Sequence, residues 1–323
     1  MPSEHTMLAP APAPASVPDP APVPASVPSF TFNPSDPWTV TFQAGLERAG
    51  LRGRRVYEVG VGSGANVLHL LRRCGAAHVT ASDLDPRLPP LARRFVMDAA
   101  PGLAGRCRFI EGSVSLVDGP AATEAVAAVD AVVACLPQVP DPGDAMYTRF
   151  RAAQLRTGPE TGGPLRITDH AAHYYPWSAF DDHPFNAVGL GLIEALLRRV
   201  RARAPRAEVV LNLGCRIGKD VLTRLFRAHG YRPEELASRV VPQDGRTDIT
   251  FFAALEAALR GTGHEKEFTC SFSADPEGRR PISATEAADR LAADPGTPVF
   301  HEICVLRGRP TALDDAPDEE DRR

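Results

Sequence analysis

Arg55-Val56-Tyr57-Glu58-Val59-Gly60-Val61-Gly62-Ser63-Gly64 is the stretch that decides the fold. Five residues of β character end beside an acid, three glycines follow at alternate positions, and Asn66–Arg73 then carries apolar residues at helical spacing. Glycines this close together let the backbone turn sharply and let a ligand approach main-chain N–H groups at a helix start. On its own such a turn fits a dinucleotide loop, or a tight turn with no ligand at all. Three details narrow the choice. The spacing is GxGxG rather than GxGxxG, Glu58 stands at the end of the strand itself, and the following strand, His78–Ser82, runs into Ser82-Asp83-Leu84-Asp85. That second strand end carries a carboxylate, Asp83 first and Asp85 next, at the position where a ribose diol would lie.

Outward from this unit, β-type runs keep alternating with helical ones. Leu88–Ala99 reads as a helix with prolines in its first turn, where they are tolerated. Cys107–Glu111 and Ala131–Ala134 read as strands, Val188–Ala204 as a long helix, Glu208–Leu213 as a strand, and Val221–His229 as a helix closed by Gly230. Alternation of this kind predicts a doubly wound, mostly parallel sheet covered on both faces. Beyond about residue 261 the rhythm changes. Phe268–Phe272 and Phe300–Leu306 read as strands, and Ser283–Ala293 as a helix opening on a serine cap, so an appended α+β piece is expected there.

The two ends differ from the middle. Residues 9–28 are almost entirely Ala, Pro, Val and Ser, with PASVP at Pro14–Pro18 and again at Pro24–Pro28. Such a segment buries too little apolar surface to offset its ordering entropy and favours extended polyproline geometry. Asp314–Arg323 is a short acidic run. The expected organisation is a disordered tail over 1–29, the main domain over 30–260, an α+β extension over 261–310 and an acidic disordered tail over 311–323.

With 323 residues, 43% hydrophobic and 24% charged, the chain has ample material for a core. Its net charge of -4 gives no field that draws it to nucleic acid or to anionic lipid. The first thirty residues lack the basic start and apolar stretch of a signal peptide, and no apolar run reaches the ~20 residues a membrane span needs, so a cytoplasmic protein is expected. Cys74, Cys107, Cys135, Cys215, Cys270 and Cys304 form no CxxC pair and no metal-ligand spacing with histidine, so neither a disulfide scaffold nor a metal is expected.

The glycine loop with Glu58 and the acids Asp83 and Asp85 resembles the first two motifs of the class I S-adenosylmethionine-dependent methyltransferases, a Rossmann-like fold with a seven-stranded sheet. The resemblance implies that Gly60, Gly62 and Gly64 curl around the methionine part of the cofactor, that Asp83 binds the ribose hydroxyls and that Ser113, after Phe109-Ile110-Glu111-Gly112, contacts the adenine. Enzymes of that class acting on planar nitrogens carry Asn-Pro-Pro-Tyr after the fourth strand. Here the residues are Cys135-Leu136-Pro137-Gln138, so the amide clamp and the stacking ring are both gone.

Five segments are similar to the methyltransferase module of the methionine S-methyltransferases: Asp36–Phe42, Cys135–Gln138, Gly189–Ile193, Asn212–Gly218 and Thr247–Ile249. They occur in the family's order, and the likeness is to its short bacterial forms rather than to the plant enzymes with an added aminotransferase-like region. The resemblance implies transfer of a methyl group to the sulfur of L-methionine, the first step of a dimethylsulfoniopropionate-type pathway, in a homodimer without metal. It places Cys135 and Leu136 against the cofactor, and Trp38, Phe42, Gln138, Arg216 and Asp248 around the substrate.

The chemistry agrees. A thioether has no proton to lose, so its methylation asks for alignment and for tolerance of sulfonium charge rather than for a general base. Aromatic rings suit a sulfonium, and Tyr174, Tyr175 and Trp177 are the candidates at the reacting centre, although the same cluster would also serve as a hydrophobic plug. Arg216 is the candidate for the substrate carboxylate or else a surface arginine at a helix start. Asp248 either receives the ammonium or caps a turn. Asp169, His170, Asp181, Asp182 and His183 form a polar cluster that solvation explains equally well. His301, between apolar residues on a late strand, reads as a core or edge histidine. Competing readings are an enzyme for another small-molecule or protein-glutamine acceptor, and a non-catalytic scaffold that binds the cofactor; cofactor calorimetry and product analysis separate them.

Overall fold

The computed structural model describes residues 35–112, 116–138, 183–245 and 247–311. Among the described residues nine strands form one sheet: β1 (Arg55–Val59), β2 (His78–Asp83), β3 (Cys107–Glu111), β4 (Ala131–Ala134), β5 (Glu208–Gly214), β6 (Tyr231–Pro242), β7 (Phe272–Ser273), β8 (Pro281–Ile282) and β9 (Phe300–Pro310). The first five are parallel in the order β3-β2-β1-β4-β5. β9 runs antiparallel to β5, and β6 runs antiparallel to β9 along its whole length. The short β7–β8 hairpin adds to the start of β9.

The helices are α1 (Pro37–Arg48), α2 (Ala65–Arg72), α3 (Leu88–Ala99), α4 (Pro120–Val126), α5 (Gly191–Arg203), α6 (Lys219–Ala228), α7 (Thr250–Leu259) and α8 (Ala284–Ala293). Successive strand residues point to opposite faces, and each face has its own core. On one, Val56, Val79, Val133, Val210 and Val305 pack against Phe42 and Leu46 of α1, Leu70 of α2 and Val96 of α3. On the other, Tyr57, Val132, Leu211 and Cys304 pack against Leu196 of α5 and Leu225 and Phe226 of α6. A strand buried on both faces tends to be apolar throughout, which is why β4 is legible in sequence as a short continuous run.

Four expectations need correcting. Among the described residues the sheet has nine strands rather than seven, and Phe300–Leu306 is not part of a separate appended piece: β9 is a central strand, wedged between β5 and β6. Tyr231–Pro242, its partner, escapes a sequence reading because it alternates poorly, with Pro233, Pro242 and four charged residues along one strand. As an edge strand it tolerates proline, and a bulge between Glu235 and Ala237 breaks its period. The strand expected over Phe268–Phe272 shrinks to Phe272–Ser273. The long helix starts at Gly191 instead of Val188, because Gly189 adopts a left-handed backbone (φ 78°) after a turn of 3-10 helix. Among the described residues no helix is long and apolar enough to cross a membrane.

Helix α1 was not foreseen. Asp36 caps it by accepting the Thr39 N–H at 3.0 Å, with Pro37 in the first turn. It lies so close on β9 that a Cβ at Gly45 would sit 2.4 Å from Val305 Cγ1. That contact carries the first turn of α1, and with it Trp38, to the C-terminal edge of β5.

Candidate active site

In open α/β sheets ligands bind beyond the carboxyl ends of the strands, where the strand order reverses. Here that point lies between β1 and β4. The loop after β1 is fastened to the end of β2: the Gly60 and Val61 N–H groups both donate to the Ser82 carbonyl at 2.9 Å. Gly62 N–H donates to Asp83 Oδ2 at 2.9 Å, and Asp85 N–H to Asp83 Oδ1 at 3.0 Å. Gly64 opens α2 in a left-handed conformation (φ 83°), where a Cβ would lie 2.9 Å from Ala92 Cβ of α3. Only glycine meets both demands. Burial pushes the Asp83 carboxyl up, and the N–H bonds from Gly62 and Asp85 pull it back. Asp85 is gripped by the Arg87 side chain, with Nε at 2.9 Å and Nη2 at 2.5 Å. The adenine candidate, Ser113, lies outside the described residues, but Gly112 just before it donates to the Asp83 carbonyl at 2.7 Å.

Glu58 ends β1 with its side chain almost fully enclosed. Burial pushes its carboxyl up to about 8; a hydrogen bond with Asn66 opposes this and the Asp83 charge adds to it. Glu58 Oε2 has no hydrogen-bond partner, and neither has Asn66 Oδ1. Leu136, just past β4, stands over the loop, 3.2 Å from where a Gly60 Cβ would be. Cys135 is exposed as a residue, yet its sulfur accepts from Asn212 Nδ2 at 3.4 Å, and its enclosure pushes the thiol up to about 11. It is therefore a thiol, not a nucleophilic thiolate, at neutral pH.

Asn212, on β5, links this region to the acceptor end. The same Nδ2 donates to the Trp38 carbonyl at 3.2 Å, while Oδ1 is buried without a partner. Two residues on, Gly214 is the point where three side chains meet. A Cβ there would lie 3.2 Å from the Trp38 ring, 3.4 Å from Gln138 Oε1 and 3.9 Å from Arg216 Nη1. Burial lowers the Arg216 guanidinium to about 10, so it stays charged at neutral pH. Its Nε donates to Gln243 Oε1 at 2.8 Å, and among the described residues it has no acidic partner. His301, at the start of β9, has its ring 6.0 Å from that of Trp38. Burial, then the Arg216 charge, hold it well below the usual imidazole range. Neither of its ring nitrogens has a partner.

Of the residues singled out in sequence, Glu58, Gly60, Gly62, Gly64, Asp83, Cys135, Leu136, Trp38, Gln138 and Arg216 thus gather along one edge. Phe42 does not. It is 1% exposed in the core beneath α1, because it lies one turn further along the same helical face than Trp38, over the sheet rather than at its edge. Asp248 is a cap: its Oδ1 accepts the Thr250 N–H at 2.9 Å and hydroxyl at 2.7 Å at the start of α7. Tyr174, Tyr175, Trp177, Asp169, His170, Asp181 and Asp182 lie outside the described residues, and His183 is buried where the chain re-enters them. Sequence reasoning missed Asn212, Gln243 and the exceptional state of His301. For Asn212 a signal exists, a lone amide inside the apolar strand Val209-Val210-Leu211-Asn212-Leu213.

A family model described as a methyltransferase domain matches residues 56–156. The chain is 26% identical over 274 residues to a methionine S-methyltransferase of Zea mays, and 26% identical over 278 residues to that of Hordeum vulgare. The methionine S-methyltransferase of Arabidopsis thaliana is 25% identical over 274 residues. Each match covers 79% of this chain and 23% of the relative, so the chain spans about a quarter of the length of these curated relatives. Taken with the sheet order and the glycine loop, these matches give the chain a methyltransferase domain of the class I, S-adenosylmethionine-dependent fold, similar over most of its length to part of the methionine S-methyltransferases.

Proposed function

We propose that this chain transfers the methyl group of S-adenosylmethionine to the thioether sulfur of L-methionine, giving S-methylmethionine and S-adenosylhomocysteine. The likeness to relatives named methionine S-methyltransferase supports this reading. Such a product would feed a dimethylsulfoniopropionate-type pathway.

The donor site is judged by the residues beneath it. Glu58 Oε2 and Asn66 Oδ1 are buried polar atoms without partners directly behind the glycine loop. Such orphans call for a ligand or an ordered water, and a carboxyl group here suits the cationic end of the donor, whose charge on binding favours the ionised form. Asp83 gives each oxygen to one backbone N–H and keeps lone pairs for a ribose diol. The residues therefore fit S-adenosylmethionine, which when bound supplies an electrophilic methyl group on a sulfonium. Gly60, Gly62 and Gly64 leave room for it, Leu136 and Cys135 border it, and Ser113 is the adenine contact in this assignment.

On the acceptor side the residues bind and orient. The observation that carries the reading is Arg216, a half-buried arginine with no acidic partner among the described residues, held by Gln243 beside the Trp38 ring. A cation so placed suits an α-carboxylate, and an aromatic face suits a sulfonium. The reaction asks for no base. Cys135 and His301 are held neutral here, and Glu58 retains its proton up to about pH 8. Tyr174, Tyr175 and Trp177 remain the proposed aromatic neighbours of the sulfur.

Release of S-adenosylhomocysteine by purified protein, measured with each of the twenty amino acids in turn, tests the assignment. Release that depends on L-methionine supports it. Release with another acceptor and none with methionine overturns it.

A further inference from the structure

We infer that the His301 ring N–H is a second donor, beside the Arg216 guanidinium, in a receptor for the α-carboxylate of the acceptor. This rests on the proposed acceptor being an amino acid. His301 is only 2% exposed, yet both ring nitrogens lack partners among the described residues. A buried imidazole bare on both nitrogens is rare enough in a folded protein to need a reason.

The sheet register supplies one. β5 and β9 pair with Gly214 opposite Ile303, and the Cys215 N–H donates to the Glu302 carbonyl at 2.8 Å. Beyond that point β7 takes over this edge of β9, with Phe272 opposite His301, and Arg216 leaves the sheet; its Nη1 lies 3.9 Å from where a Gly214 Cβ would be, beside the Trp38 ring, and its charge acts on His301. Residues two apart on a strand share a face, so His301 lies on the side of β9 that presents Val305 to α1. Trp38 covers it there with its ring tilted by 48°. A guanidinium, an imidazole and an indole thus surround one spot at the end of β5 and β9.

The ligand's sign follows from these neighbours. Arg216 repels an ammonium at that spot and attracts a carboxylate. A neutral imidazole keeps one N–H to donate, and a carboxylate has lone pairs enough for a guanidinium fork and one further donor. A carboxylate also exists on the methyl donor. The donor's loop, however, follows β1, three strand spacings or about 14 Å from β9, so the acceptor's carboxylate is the occupant.

His301→Phe keeps a ring against Trp38 and deletes the donor, His301→Asn keeps an N–H, and His301→Ala stands in if the phenyl ring does not pack. Calorimetry on protein saturated with S-adenosylhomocysteine compares L-norleucine, a methionine isostere without sulfur, with L-norleucinol, which lacks the carboxylate. The expected result is a 10- to 100-fold weaker norleucine affinity in His301→Phe, partial recovery in His301→Asn, and norleucinol and S-adenosylhomocysteine affinities within twofold of the parent. Equal losses for norleucine and norleucinol would make His301 a packing residue and overturn the inference. So would weakened S-adenosylhomocysteine, unchanged norleucine, or a parent protein that binds no norleucine. If the norleucine pattern holds while methionine is not turned over, the receptor stands and the proposed acceptor falls. If methionine is turned over and the pattern fails, the reverse is concluded.

Discussion

The side-chain amide of Gln138 is paired with the backbone of Gly214 in both directions: the Gly214 N–H donates to Oε1 at 2.6 Å, and Nε2 donates to the Gly214 carbonyl at 3.2 Å. An amide used this way imitates a rung of the sheet. It ties the chain leaving β4 to the end of β5, beside Trp38 and Arg216, and so orders the acceptor side rather than gripping the acceptor itself. Gln138→Glu keeps an acceptor but loses the donor and turns a charge on the Gly214 carbonyl. Losing a buried hydrogen bond costs about 1–3 kcal/mol. A drop in melting temperature of a few degrees is expected, with roughly tenfold higher KM for the acceptor and S-adenosylhomocysteine affinity within twofold by calorimetry.

Glu58 leads to a pH dependence. Its folded-state carboxyl is raised by burial to about 8, whereas the unfolded chain ionises near 4.5. Between those values the unfolded state loses a proton that the folded state keeps, so this group's contribution to stability falls as pH rises, by up to about 1.4 kcal/mol per pH unit. Above about 8 the contribution is flat. Glu58→Gln removes the slope. Urea unfolding at pH 5, 6, 7 and 8 is expected to show the variant gaining steadily on the parent, while its affinity for the methyl donor falls. Parallel pH profiles for the two proteins would refute the assignment.

Two glycines of the loop separate folding from binding. At Gly64, alanine meets both a left-handed backbone and the Ala92 Cβ at 2.9 Å, so Gly64→Ala is expected to lower stability by about 2–4 kcal/mol as α2 and α3 are forced apart. At Gly62 nothing lies within 4 Å of an added Cβ, and only the backbone (φ 50°) objects. Gly62→Ala is expected to cost about 1 kcal/mol in urea titration and yet to weaken S-adenosylhomocysteine by tenfold or more, because the open space is where the ligand lies.

Asp248 distinguishes a cap from a ligand. Its carboxylate holds the Thr250 N–H and hydroxyl at an exposed helix start. Asp248→Ala is expected to lose about 1 kcal/mol of stability with unchanged KM for the acceptor. A large rise in KM without loss of stability would return Asp248 to the site.

How much of this is legible in the sequence depends on what each residue has to satisfy. β1, β4 and α3 coincide with the spans their patterns predict, because burial on both faces of the sheet, or on one helical stripe, leaves little freedom; β3 coincides too, although it is a largely exposed edge strand. The glycine loop and Asp83 are legible for the same reason: a left-handed turn against a neighbouring helix admits few residues. Tyr231–Pro242 is not, since an edge strand with a bulge and two prolines is shaped by its partner β9, distant in sequence. Trp38 and Phe42 share one face of α1, yet one turn along its axis places the first at the site edge and the second over the core. His301 reads as an ordinary buried histidine. Its bare nitrogens and its Arg216 neighbour emerge only when β9 is laid against β5.

The central claim, sulfur methylation of methionine, is tested most directly by following the methyl group itself. S-adenosylmethionine labelled with 13C in that group, incubated with the protein and L-methionine, is observed by carbon-correlated NMR. The account predicts that the label moves to the sulfonium methyl resonance of S-methylmethionine as S-adenosylhomocysteine accumulates. Label appearing on a nitrogen or an oxygen, or turnover that ignores methionine altogether, would contradict it.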